Sequence, residues 1–132
     1  VAPSMGRKQE QESLIEDIQY LPYMNWRDWI NSLSQFNIGI HLMRTHAAGT
    51  FAMNCGFHGI PCVGYKGLDT QQTIHPNTTI EVGDLNGAVE IAKKLKTDDG
   101  FYDECSKEAL YRFSEYYTEE NWLKNWNKQW KK

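Results

Sequence analysis

The sequence predicts an α/β fold with a parallel sheet, followed by helices at the C-terminal end. Short apolar stretches of strand character alternate with stretches of helical periodicity over the central part of the chain, and this alternation is typical of β-α-β units. The last third shows helical periodicity alone. A chain of 132 residues fits a single core. We therefore expect one domain covering residues 1–132.

The first helix and strand follow an extended stretch around Leu21 and Pro22, because the residue before a proline is disfavoured in helical conformation. Asn25 is a good N-cap. After it, apolar side chains recur at the three- and four-residue spacing of one helix face: Trp26, Trp29, Ile30, Leu33 and Phe36. A strand follows, with apolar residues at every second position from Ile38 to Leu42.

Two further strand and helix pairs are predicted. A helix over Phe51–Phe57 ends at Gly59, because Pro61 cannot continue it. The run from Ile60 to Tyr65 is short and apolar, as a buried parallel strand is. A strand over 79–82 then precedes Asp84, the predicted N-cap of a helix over 85–95.

Two C-terminal helices complete the prediction. Phe101, Cys105, Ala109 and Phe113 repeat every four residues, and a second helix starts near Thr118. The last helix carries a stripe of tryptophans at 122, 126 and 130. We interpret this stripe as core packing, since large apolar side chains are ordinarily buried. Docking on a partner domain and an aromatic platform for sugar or a membrane interface are the alternatives.

Composition and charge exclude several classes of protein. The net charge is −3 and the lysines and arginines form no continuous stripe, so nucleic acid is not a predicted partner. No apolar run reaches the length of a transmembrane segment. Three widely spaced cysteines predict reduced thiols in a cytoplasmic protein. No metal site is predicted, because Cys55, His58 and Cys62 lack a fourth ligand nearby. The first residues lack an initiator Met, so we expect the chain to be truncated.

The segment most suggestive of chemistry connects the predicted strand from Ile38 to Leu42 with the helix at Phe51. In a parallel α/β sheet, such a loop and the start of the next helix face the ligand crevice. The loop reads Ala47-Ala48-Gly49-Thr50, whose small residues let a diphosphate approach the backbone and whose hydroxyl is a further donor. The same small residues are equally compatible with tight packing of strand on helix.

A family resemblance covers about the last 110 residues. The order of segments, the Gly59-x-Pro61-x-Val63 element and the loop at Gly67 resemble the C-terminal domain of GT-B type glycosyltransferases, which have two facing Rossmann-like domains. The similarity is to the retaining group known as glycosyltransferase family 4. It implies a Rossmann-like three-layer domain with a parallel sheet, which binds a nucleotide-diphosphate sugar as donor substrate and needs no further cofactor.

The resemblance also implies roles for individual residues. The family has two glutamates eight positions apart, the first near the sugar and the second on the ribose, and these positions hold His46 and Asn54 here. His46 is therefore the candidate catalytic residue, although neither position is acidic. The implied diphosphate site is the helix start, formed by Ala47, Ala48, Gly49, Thr50 and Phe51.

Two other segments match family elements that contact the donor. The family holds the diphosphate with a basic pair after its first strand, and Arg7 and Lys8 resemble that pair. The loop after the second buried strand adds Lys66, Asp69 and Thr70, where the family contacts the nucleotide or sugar.

The predicted function is donor binding within a glycosyltransferase. In the full enzyme the resemblance implies an N-terminal acceptor-binding domain or partner chain, with transfer across the cleft between them. Because both acidic positions are lost, a non-catalytic nucleotide- or sugar-binding module is the first alternative. The second alternative is an interaction domain that retains the fold and uses its Trp-rich end.

Overall fold

A computed structural model of the chain describes residues 2–3, 17–44 and 49–130. The chain divides into two compact units, Val1–Ser32 and Leu33–Lys132. The expectation of a single domain over 1–132 stays a prediction.

The first unit contains a small parallel sheet and most of one helix. Strand β1 (Ala2–Pro3) pairs in parallel with β2 (Tyr20–Leu21). Helix α1 (Trp26–Leu33) begins after Asn25, whose side-chain oxygen accepts a hydrogen bond from the Asp28 amide at 3.0 Å. This is the geometry of an N-cap, so the predicted start of the helix is confirmed.

The second unit is built on a three-stranded parallel sheet. Its strands are β3 (Gly39–His41), β4 (Cys62–Tyr65) and β5 (Thr79–Ile80), in the order β3-β4-β5. Gly39 is paired with Cys62, and Gly64 with Thr79. All four residues of the central strand β4 are buried, because it has a neighbour on each side and helices against both faces. The three strands predicted for this region are confirmed, with shorter ends.

Among the described residues, the second unit contains five α-helices and a short 3-10 helix (Pro76–Thr78). The α-helices are α2 (Thr50–Phe57), α3 (Asp69–Ile74), α4 (Leu85–Thr97), α5 (Asp99–Tyr117) and α6 (Glu119–Trp130). Asp84 accepts a hydrogen bond from the Gly87 amide at 2.9 Å and caps α4 as predicted. Gly59 ends the turn after α2 with a φ of +65°, a conformation that disfavours a side chain.

Helices lie against both faces of this sheet. Helix α2 packs on Gly39, where a Cβ atom would be 2.7 Å from Cys55 Sγ, and α3 packs on Gly64, where a Cβ atom would be 2.5 Å from Gln71 Oε1. On the opposite face, apolar residues of the sheet and of α4 and α5 form the core cluster: Val63, Tyr65, Ile80, Ala88, Leu95 and Cys105.

Helix α5 closes the edge of the sheet at which the strands begin. The Ser106 hydroxyl donates to the Gly59 carbonyl at 2.6 Å, and the Tyr102 hydroxyl donates to the Asn37 carbonyl at 3.1 Å. Both acceptors lie just before a strand. Helix α5 therefore packs on the edge where the strands begin and not on the edge where they end.

Two expectations about local structure are wrong. The segment after Gly67 was expected to be a loop, but Asp69–Ile74 forms a helix. Two of its own side chains, Gln71 and Ile74, are fully buried, and this packing stabilises a helix of otherwise polar composition. The tryptophan stripe is not core packing. Trp122, Trp126 and Trp130 are 56%, 48% and 68% exposed and stack on one another instead, with adjacent ring centroids 5.3 Å apart.

The structure agrees with the predicted α/β class. The described chain is mainly helical and contains a small parallel sheet, as an α/β fold with C-terminal helices requires. The helices at the C-terminal end are confirmed.

Candidate functional site

The candidate site lies at the edge of the second unit's sheet where the parallel strands end. Strand β3 ends at His41, β4 at Tyr65 and β5 at Ile80, so these ends share one edge. Helix α2 follows β3 and begins at Thr50 on that side of the sheet. A helix start presents amide groups and the positive end of the helix dipole, which together favour an anion.

Gly49 holds the start of α2 in place through its backbone. Its carbonyl accepts a hydrogen bond from the Thr70 hydroxyl at 2.7 Å. A Cβ atom at Gly49 would lie 3.0 Å from the Thr70 hydroxyl oxygen and 3.5 Å from a Leu68 methyl carbon. Close packing is thus one reason for a glycine here, as the alternative interpretation of this loop required. Thr70, predicted to contact a ligand, is buried and its hydroxyl is used internally.

Thr50 and Asn54 lie on the same face of α2, because residues four apart on a helix are neighbours. The side chain of Thr50 is exposed, whereas Asn54 is partly buried. Phe51 lies on the face next to them and packs against the His41 ring, with centroids 5.5 Å apart and an edge-on angle of 63°. The exposed hydroxyl of Thr50 therefore stands at the start of the helix, beside an aromatic contact that fixes α2 to β3.

His41 has a feature that the sequence did not reveal. Its Nδ1 atom is buried and has no hydrogen-bond partner among the residues that the structure describes. Burial lowers the pKa of His41 below its ordinary value of 6.5, so the imidazole is neutral at pH 7. His41 lies in the strand predicted from Ile38 to Leu42, but the alternation of a strand does not show whether a polar atom lacks a partner.

Lys66 supplies a cation where β4 ends. Its ammonium group pairs with Glu81 at 3.1 Å, and both side chains are largely exposed. Its backbone amide donates to the Ile80 carbonyl at 2.8 Å, and the next amide, of Gly67, donates to Gln72 Oε1 at 2.7 Å. Asp69 is exposed as the first residue of α3. An exposed ion pair of this kind contributes little free energy in water. An anionic ligand that replaces Glu81 beside Lys66 therefore loses little free energy by breaking the pair.

Five predicted site residues lie outside the described residues. They are Arg7, Lys8, His46, Ala47 and Ala48. The structure thus brings Gly49, Thr50, Phe51 and Thr70 together. It places Lys66 and Asp69 after the neighbouring strand.

A buried polar network lies beneath α3. The carbonyl of Cys62 accepts hydrogen bonds from Gln71 at 2.7 Å and from the Thr78 hydroxyl at 2.6 Å. The amide of Cys62 donates to His75 Nδ1 at 3.4 Å, while His75 Nε2 contacts the Ala52 carbonyl at 2.9 Å. Both contacts are satisfied when Nε2 carries the proton of a neutral imidazole. Burial lowers the pKa of His75 to about 4. His75, in the connection between α3 and Pro76, is therefore a buried core residue.

Two further features of the described chain concern metal ligands and membrane-spanning helices. No three His, Cys, Asp or Glu side chains there are grouped as metal ligands. None of its helices has both the length and the apolar character needed to cross a membrane. A shallow surface depression lies near His75, Asn77 and Glu108, at the end of α3 away from Asp69.

Comparison with known proteins finds no matching family model, curated protein or solved structure for this chain.

Proposed function

We propose that this chain is the donor-binding domain of a glycosyltransferase of the GT-B type, with a Rossmann-like fold, and that it binds a nucleotide-diphosphate sugar. The observation that carries the proposal is the exposed start of α2 at the edge where the parallel strands end, with Thr50 as its first residue. The resemblance of the segments around Gly59-x-Pro61-x-Val63 to this family supports it.

The diphosphate is proposed to lie against the first turn of α2. Two properties of this turn suit a diphosphate: a positive helix end, and a Gly49 backbone that Thr70 fixes before any ligand arrives. Thr50 adds a hydroxyl donor, and Asn54, one turn later on the same face, is suited to ribose hydroxyls. Lys66 exchanges its pairing with Glu81 for the phosphate charge.

Catalysis is proposed to require more than this chain. Transfer of the sugar takes place in a cleft between this domain and an acceptor-binding domain or partner chain, through positioning and stabilisation of the leaving diphosphate. His46 is the residue proposed to face the sugar. It lies outside the described residues, as do Arg7 and Lys8, the proposed basic pair.

The experiment is calorimetric titration of the chain with UDP, GDP and ADP and with their sugar conjugates. We expect saturable binding of one nucleotide. The substitution Thr50→Val removes one hydroxyl donor to a charged group and should weaken binding by roughly 10- to 100-fold, equivalent to about 1.5–3 kcal/mol. His46→Ala should weaken binding of the sugar conjugate more than that of the bare nucleotide.

The matched control is Thr97→Val. Thr97 is an exposed threonine at the end of α4, and its hydroxyl donates to the Lys93 carbonyl at 3.0 Å, away from the proposed site. This variant should bind like the wild type. Absence of binding to every nucleotide at millimolar concentration would contradict the proposal, as would equal weakening by Thr50→Val and Thr97→Val.

A second candidate function is a nucleotide- or sugar-binding module without catalysis. It is favoured by His46 and Asn54, which stand where the resembled family has two glutamates. Donor binding without release of the nucleoside diphosphate, when sugar acceptors and the partner domain are supplied, would distinguish this candidate from the enzyme.

A further inference from the structure

Two of the three cysteines lie next to each other in the core of the second unit. Cys55 lies in α2 and Cys62 is the first residue of β4, and neither side chain has any exposed surface. The turn between them is tight, because the Ile60 amide donates to the Cys55 carbonyl at 2.9 Å and Gly59 reverses the chain. Both thiols are free.

Gly39 on the neighbouring strand provides the space that both sulfur atoms occupy. A Cβ atom at this position would lie 2.7 Å from Cys55 Sγ and 3.4 Å from Cys62 Sγ. Both sulfurs therefore lie against one spot on β3, close to each other. Cys105 is separate, since it lies in α5 beside the depression near Glu108.

We propose that Cys55 and Cys62 are an oxidation site, at which a small two-electron oxidant closes an intrachain disulfide between α2 and β4. In this step both S–H bonds break and one S–S bond forms. The two electrons and two protons pass to the oxidant. With diamide, one thiolate adds to the N=N bond, and the second thiolate then attacks that sulfur and releases the hydrazine.

The packing explains why the reaction is selective and slow. The hydrogen bond with Cys55, together with burial, holds the pKa of Cys62 well above its usual range. The thiolate is the reacting form, so the rate should rise as the pH is raised above 7. A disulfide is about 2 Å long. The sulfurs must therefore approach each other before the bond closes, which slows the reaction.

The test is disulfide mapping of the native protein after treatment with diamide. The protein is quenched in acid, unfolded, alkylated with iodoacetamide and digested with trypsin. Cys55 and Cys62 fall in one tryptic peptide, residues 45–66, and Cys105 falls in another, residues 97–107. We expect the peptide 45–66 to be unalkylated and about 2 Da lighter than its reduced form. The peptide 97–107 should be alkylated.

The controls separate this site from general oxidation. Cys105→Ala should retain the cross-linked peptide, whereas Cys55→Ala should lose it. The same treatment in urea checks that the reagent is active on the unfolded chain. Full alkylation of the peptide 45–66 from native protein, with oxidation in urea, would overturn the proposal. So would a disulfide that includes Cys105 or that joins two chains.

Discussion

Lowering the pH from about 7.5 to about 5 should destabilise this protein through His75. The imidazole is buried and neutral, and its two ring nitrogens contact the Cys62 amide and the Ala52 carbonyl. Protonation would place a charge in the core and turn Nδ1 from an acceptor into a donor that faces another donor. The unfolded chain has no such constraint, so it binds the proton more readily.

The magnitude follows from the two pKa values. Burial lowers the pKa of His75 from its ordinary value of 6.5 to about 4 in the folded protein. Between these values the unfolded state holds more protons, so stability is fully present above pH 6.5 and is lost as the pH falls towards 4. The full loss is about 3 kcal/mol, of which about 2 kcal/mol is reached at pH 5.

The assay is urea unfolding followed by circular dichroism at several pH values between 7.5 and 5. His75→Gln should be less stable at neutral pH, since it loses the ring contacts, but should show a much weaker dependence on pH. A small dependence remains, because burial also lowers the pKa of His41. Equal stability of the wild type at both pH values would refute the reasoning, as would an unchanged pH dependence in His75→Gln.

Two further predictions concern packing and capping. Gly64→Ala should destabilise the fold by roughly 1–3 kcal/mol in chemical denaturation, because the new Cβ would lie 2.5 Å from Gln71 Oε1 in a packed core. Gly100→Ala, whose Cβ would meet only Asp98 Oδ1 at 3.4 Å, should be neutral or slightly stabilising, and a loss equal to that of Gly64→Ala would contradict the packing argument. Asp84→Ala should lower the free energy of unfolding by about 1 kcal/mol, since it removes the cap at the Gly87 amide. An unchanged melting temperature in that variant would argue against the cap.

Local patterns predicted much of the fold because they depend on neighbours along the chain. The buried strand before Tyr65 was recognisable from a short apolar run after Pro61. The helix caps at Asn25 and Asp84 were recognisable because a capping side chain reaches only three residues ahead. The candidate site was partly predictable for the same reason, since a glycine-containing turn between a strand and a helix is a local feature.

Helix α3 shows where local patterns are insufficient. The segment Asp69–Ile74 has a polar composition and lies between Gly67 and Pro76, so it resembles a loop. Its helical form depends on Gln71, which reaches the Cys62 carbonyl on a different element. Thr70 was predicted to contact a ligand for a related reason. Its hydroxyl donates to the Gly49 carbonyl, 21 positions away in the sequence, and a local pattern does not reveal a hydrogen bond over that distance.

The sequence by itself determined the order of the elements, the parallel character of the sheet and a helix starting near Phe51, since these follow from periodicity, capping and the chemistry of glycine and proline. Only the tertiary structure decided which polar groups are available. It places the hydroxyl of Thr70 and the ring of His75 inside the core, and it leaves the tryptophans of α6 exposed. The physical reason is that burial depends on contacts between distant segments, whereas a sequence pattern records only which face of an element a residue occupies.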